Sequence, residues 1–281
     1  ASIEDAAQTS SASLTVKAES KNTVLNTAKA AAKGAQKQPE AGKTPANASQ
    51  TEKSLEKYKD EGSTSEGSVD VAAAVAIVSL NSQTQASIGS SALQTTAGLA
   101  TVSSVASNVS TVDADGSTVG EGADVGIGAA FALNIGALTN TALIGDNAQI
   151  SANGLTLQAN VPAGGTNTFA TSSKSGAGAS NVGVAGSLAI NTLANTTTAL
   201  IQGDSDSSGT GASVDAGTGD ILIEAGNAST STVTAGAEVQ GTGEEAKVGV
   251  GASVGVNVVA NKTVAEVADK AAITGGANFG L

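Results

Sequence analysis

A short phrase recurs four times along the chain and constrains its fold more than any other feature. It reads SVDVAAAVAIVSLN at 68–81, ADVGIGAAFALN at 123–134, NVGVAGSLAIN at 181–191 and KVGVGASVGVN at 247–257. Each copy alternates small and aliphatic residues with a period of two, the period of a strand. Each closes on Asn: Asn81, Asn134, Asn191 and Asn257, at spacings of 53, 57 and 66 residues. One copy alone is too short to make a core, so the copies must stack. The pattern predicts an all-β chain folded as a parallel β-helix, or β-solenoid.

The alternation divides each phrase into two faces. In the last copy Val248, Val250, Ala252, Val254, Val256 and Val258 share one side, and Gly249, Gly251, Ser253, Gly255 and Asn257 the other. The aliphatic side is expected to form the core. The small side is expected either to lie against a closely packed layer, since strand Gly marks close backbone approach, or to face water as a flat surface. Gly249, Gly251 and Gly255 are the residues that such an approach would need. The Asn at the end of each phrase reads as a turn cap, because Asn tolerates left-handed backbone angles. Asn-on-Asn stacking is not expected, because whole units separate the copies.

After each Asn comes a second phrase: QTQASIG at 83–89, TNTALIG at 139–145, NTTTALIQG at 195–203 and NKTVAEVADKAAITG at 261–275. Turn signals then lead to AGLATVSS at 97–104, NGLTLQAN at 153–160 and GDILIEAG at 219–226, with ASLTVKAES at 12–20 as the first such phrase. Polar phrases at 167–175 and 228–236 follow. Four or five short strands per unit predict two to three coils of the solenoid per unit. The organisation expected is solenoid strands at 1–20, a helical or flexible insertion at 21–66 and solenoid units at 67–281, starting near 67, 123, 181 and 247. Within the insertion, 22–36 and 51–62 have helical spacing.

Composition removes much chemistry. His, Cys, Met, Trp and Arg are absent, with three Phe and one Tyr. No His-based triad, thiol nucleophile, disulfide or Cys/His zinc site can be built. The net charge of −12 falls entirely in 67–281, where sixteen acidic residues face four Lys. That balance argues against a nucleic-acid partner. No run of 18 apolar residues predicts a membrane span. The start at Ala1, without a signal sequence, reads as an excised or processed fragment.

Asp113 and Asp115, in DADGS, and Asp204 and Asp206, in GDSDSSG, are candidate calcium ligands by their spacing. No other cofactor is expected. Asp220 and Glu224 come closest to a carboxylate pair for sugar chemistry, but they read better as solvated turn acids. Sequons occur at Asn47, Asn108, Asn195, Asn227 and Asn261.

The phrases VGVAGSLAIN, NTTTALI, GDILIEAG and VGVGASVGVNVVANKTVAEVADKAAITGG resemble the repeat regions of giant bacterial adhesin- and haemagglutinin-like exoproteins and autotransporter passengers. The resemblance implies a structural or adhesive rod without catalysis, outside the cell or on its surface. Implied partners are adjacent repeats of a longer polypeptide, like subunits, or a host or matrix surface. Two other readings are a fibre subunit mating through its Gly/Ala/Ser faces and a polysaccharide-binding or -processing β-helix.

Overall fold

The computed structural model describes residues 1–30, 69–118, 124–204, 210–241 and 248–281. These form seventeen strands. In chain order they are β1 (Ser2–Ile3), β2 (Gln8–Ser11), β3 (Leu14–Ala30), β4 (Val69–Ile88), β5 (Leu93–Thr96), β6 (Ala100–Ser117), β7 (Val125–Ile144), β8 (Gln149–Ser151) and β9 (Leu155–Asn160). They continue as β10 (Asn167–Ala179), β11 (Val182–Ile201), β12 (Ser213–Asp215), β13 (Ile221–Ala225), β14 (Ser229–Gly241), β15 (Val248–Val267), β16 (Ala272–Thr274) and β17 (Phe279–Gly280).

The strands stack in register as three parallel sheets, the parallel β-solenoid that the repeat predicts. A front sheet runs β1-β4-β7-β11-β15, and a short end sheet runs β16-β12-β8-β5-β2. A back sheet runs β14-β10-β6-β9-β13-β17, with β3 also on β6. Each sequence unit makes one coil, not two to three. The physical reason is that the first two phrases of a unit are one strand. Alternation continues through the Asn without a turn signal, so the front strands β4, β7, β11 and β15 each run 20 residues.

The helix expected over 22–36 is strand as far as Ala30. Its stripe of small residues also fits a period of two: Asn22, Val24, Asn26, Ala28 and Ala30 alternate with exposed Thr23, Leu25, Thr27 and Lys29. In-register pairing from Asn22↔Asn108 to Ala30↔Gly116 overrides the helix preference of Ala, as tertiary context commonly does. The rest of that expected helix, and the one at 51–62, lie outside the described residues.

The core has three parts, one of them a small cluster of Leu138, Phe169 and Leu193. Where all three sheets meet it is wide, and Ile88, Ile144, Ile201, Val102, Leu155, Leu157, Val214 and Ile223 fill it. Beyond the end sheet, only front and back sheets remain. There the core thins to a layer of Ala74, Ala76, Ala130 and Ala132 against Val112 and Ala114.

The turn from front to end sheet repeats one backbone geometry. Ala6, Ser91, Asn147 and Lys270 occupy equivalent places in it, all with positive φ of 54–66°. The next residue is Ala each time, and Ala92 and Ala148 are fully buried. Only Asn147 is of a type that enters this region readily. Ser91→Gly is therefore expected to stabilise the chain by about 0.5–1 kcal/mol, less than the full left-handed penalty because Gly loses more backbone entropy. The urea midpoint measures it, and a lower midpoint would contradict the strain.

Candidate interaction surface

The structure reverses the expected roles of the two faces. In β11, Gly183, Ala185, Ser187, Ala189 and Asn191 are buried, whereas Val182, Val184, Leu188 and Ile190 are half-buried or exposed. In β4 the buried residues are Asp70, Ala72, Ala74, Ala76 and Val78, and the aliphatic partners face water. The small face does meet a closely packed layer, and that layer is the chain's own back sheet.

Sheet separation decides the matter. A Cβ at Gly128 would run into the Gly176 carbonyl oxygen, and one at Gly126 would come within 2.5 Å of the Gly178 oxygen. The backbones of the two sheets touch, well inside the ~10 Å of ordinary sheet packing. Where the backbones come this close nothing as large as Val fits on the front strand, and alternation turns the neighbouring aliphatic residues outward. Gly and Ala fill it with no loss of side-chain entropy. Gly249, Gly251 and Gly255 continue the small face in the last coil, opposite Val239, Ala237 and Val233.

Asn134, Asn191 and Asn257 are not turn caps. They lie within strands and are in-register neighbours on β7, β11 and β15. Because one unit is one coil, they stack directly. Each reaches across the gap. Asn134 Oδ1 accepts from Ser110 Oγ at 2.7 Å, and its amide donates to the carbonyl oxygens of Ser110 and Ala170 at 3.3 and 3.4 Å. Asn191 donates to Ser231 Oγ at 2.6 Å, and that hydroxyl donates to Asn257 Oδ1 at 2.6 Å. The fourth Asn breaks the row: Val78 occupies that register position, while Asn81 pairs Ala137 and is exposed.

Further polar groups in the core were not singled out from sequence. On the back sheet, Asn22 donates to Asn108 Oδ1 at 2.8 Å and Asn108 to Asn167 Oδ1 at 3.1 Å. Their signal was available: all three fall on the inward parity of their strands. Burial of Asn108 and Asn195, 1% and 2% exposed, closes two of the five sequons to glycosylation in the folded chain.

The outward face of the front sheet is the unusual surface. Its residues form ladders across β4, β7, β11 and β15. One joins Val69, Val125, Val182 and Val248, and the next Val71, Ile127, Val184 and Val250. A row of small residues follows: Ala73, Ala129, Gly186 and Ala252. Then come Val75, Phe131, Leu188 and Val254, and beside them Ile77, Leu133, Ile190 and Val256. Val75 is 60% exposed and Val254 54%. No charged residue interrupts these rows. The outer back sheet is ordinary by contrast, with Thr168, Ser172 and Lys174 on β10 and Thr230, Thr232 and Thr234 on β14. Scattered apolar side chains are normal on a surface; a contiguous apolar patch marks an interaction site.

The acidic candidates stand apart from this face. Asp113 and Asp115 lie on the outer side of strand β6, not in a turn. Asp115 accepts from Ser117 Oγ at 2.7 Å and lies in register between Lys29 and Lys174. Asp204 meets Lys270 Nζ at 2.6 Å, and this hydrogen bond, then the carboxylate charge, raises the Lys270 pKa. Asp206 lies outside the described residues. Among the described residues no three acidic side chains gather as a metal site. Glu224 accepts from Gln158 at 2.9 Å and Asp220 from Asn278 at 2.7 Å, each a bond between coils. No helix among the described residues is long and apolar enough to cross a membrane.

No family model, curated protein or solved structure matches the chain.

Proposed function

We propose that this chain is a structural, adhesive segment of a bacterial extracellular or cell-surface protein, without catalysis, and that its front sheet is the contact surface. One observation carries the reading: uncharged aliphatic ladders cover the first half of the outward face of four successive front strands. Apolar area facing water is unfavourable by about 25 cal/mol per Å², and here it is concentrated on one side. The stacked parallel sheets support the rod, and in-register pairing along its length stiffens it without disulfides. The Gly/Ala/Ser faces, which a self-mating fibre would have needed, are taken up inside the coil. The Asp220 and Glu224 carboxylates each accept a hydrogen bond from a neighbouring coil, which supports a structural part for them.

The test replaces the face and keeps the strand. In a variant carrying Val75→Thr, Ile127→Thr, Val184→Thr and Val254→Thr, every new residue is β-branched and strand-compatible. Wild-type protein is expected to adsorb to an alkyl-coated sensor at least about tenfold more than the variant, and both equally little to a hydroxyl-coated one. Equal adsorption of the two proteins to the alkyl surface would remove the front sheet from the contact.

A further inference from the structure

We infer that the apolar front face pairs with the same face of a second copy of this chain, in a closed twofold dimer. This rests on reading the face as a contact surface and names its occupant. Area is the first argument. Four strands about 4.8 Å apart and five outward rows about 6.7 Å apart span about 19 by 34 Å, or roughly 640 Å². Standard stable interfaces use roughly 600–1,000 Å² per partner, so one face alone reaches that range.

Relief is the second argument. The small row Ala73, Ala129, Gly186 and Ala252 is a groove running across the strands. The rows of Val71, Ile127, Val184 and Val250 and of Val75, Phe131, Leu188 and Val254 are ridges on either side. At Gly186 an added Cβ would meet nothing within 4 Å, so the groove is open. A twofold rotation sets a ridge of one copy into the groove of the other, as the inner faces of a β-sandwich interdigitate. Charge is the third. The net charge of −12 repels two copies in most orientations, but these rows carry no charge, so this approach buries apolar area without burying a carboxylate. An isologous contact of this kind closes on itself.

Sedimentation velocity at micromolar concentrations is expected to give twice the chain mass. Val75→Lys with Leu188→Lys, at the centre of the face, should raise the dimer dissociation constant at least about thirtyfold. Thr230→Lys, on the outer back sheet, should leave it unchanged. The chain has no Cys, so Gly186→Cys gives a single thiol beside the expected axis. A short bis-maleimide should join two such copies, and should not join copies of Thr232→Cys. These readouts stand even where the Lys variant fails to fold.

A dimer that Thr230→Lys dissociates, or that cross-links only through Thr232→Cys, uses another face and overturns the inference. So does an assembly that grows beyond two copies. A monomer at every concentration overturns it as well. If that monomer still adsorbs to the alkyl sensor and the threonine variant does not, the contact surface stands and its partner is something else. If both adsorb alike, the contact surface falls too.

Discussion

Gly128→Leu is expected to destabilise the chain by about 3 kcal/mol or more, at or past the upper end of ordinary overpacking. Most overpacked side chains escape by changing rotamer or pushing a flexible neighbour. Here the obstacle begins at Cβ, and it is backbone: the carbonyl oxygens of Gly176 and Gly116. Both sheets would have to part along a strand held by in-register partners on either side, Ala72 and Ala185. The control lies one coil on and one residue further along the pairing, on the opposite face. Gly186→Leu points outward into open space on the single chain and, measured on the monomer, should stay within about 0.5 kcal/mol, the range of ordinary surface substitutions. Gly251→Leu falls between them. Its Cβ would sit 3.4 Å from the Ala237 oxygen, an ordinary contact, so only the rest of the side chain is obstructed. Urea midpoints of the three variants measure the order. Equal losses at Gly128 and Gly186 would mean that the inward face has been misidentified.

That same pair explains what could be read from the sequence. Period-two alternation at 125–135 and 182–192 is unambiguous, so the strands and their stacking were legible. Which face lies inward was not, because the preference for burying Val over Gly holds only where the core has room for Val. Room is set by the distance between sheets, a property of the whole coil that no single phrase encodes. The error in coil number has a related source. Asn134 and Asn191 read as turn formers in the sequence because Asn tolerates left-handed backbone angles. A buried Asn is tolerated when an opposing sheet supplies its hydrogen bonds, and Ser110 and Phe169 do so here. The clue was Ser110 itself: Ala106, Ser110 and Ala114 share one parity of β6, and that row of small residues matches the front face. The apolar contact surface then follows from the inversion, since residues excluded from a thin core must stand outside it.

Asn134→Asp should cost about 3–5 kcal/mol near neutral pH, the range for a buried charge without a partner, although it changes one atom in shape and almost nothing in volume. Asn134 is fully buried. Its amide nitrogen faces two acceptors, the carbonyl oxygens of Ser110 and Ala170. A carboxylate oxygen placed there accepts only and is repelled by both, while the other oxygen keeps the Ser110 hydroxyl. Desolvation and the two carbonyls push the new carboxyl upward from its ordinary range. The sign follows. Below the unfolded value of about 3.9 the acid is protonated in both states, donates to a carbonyl as the amide did, and the loss is small. As pH rises past that value the unfolded chain releases its proton and the folded chain keeps it, so stability falls with pH. The decline ends where the folded carboxyl ionises. Asn81→Asp supplies the contrast, because Asn81 is exposed on the outer face and should shift stability by no more than about 0.5 kcal/mol at any pH. Urea unfolding of both variants between about pH 3.5 and 8, roughly the range from an ordinary to a raised carboxyl, gives the profiles. A pH-independent loss for Asn134→Asp would refute the buried-charge account and reduce the Asn row to packing.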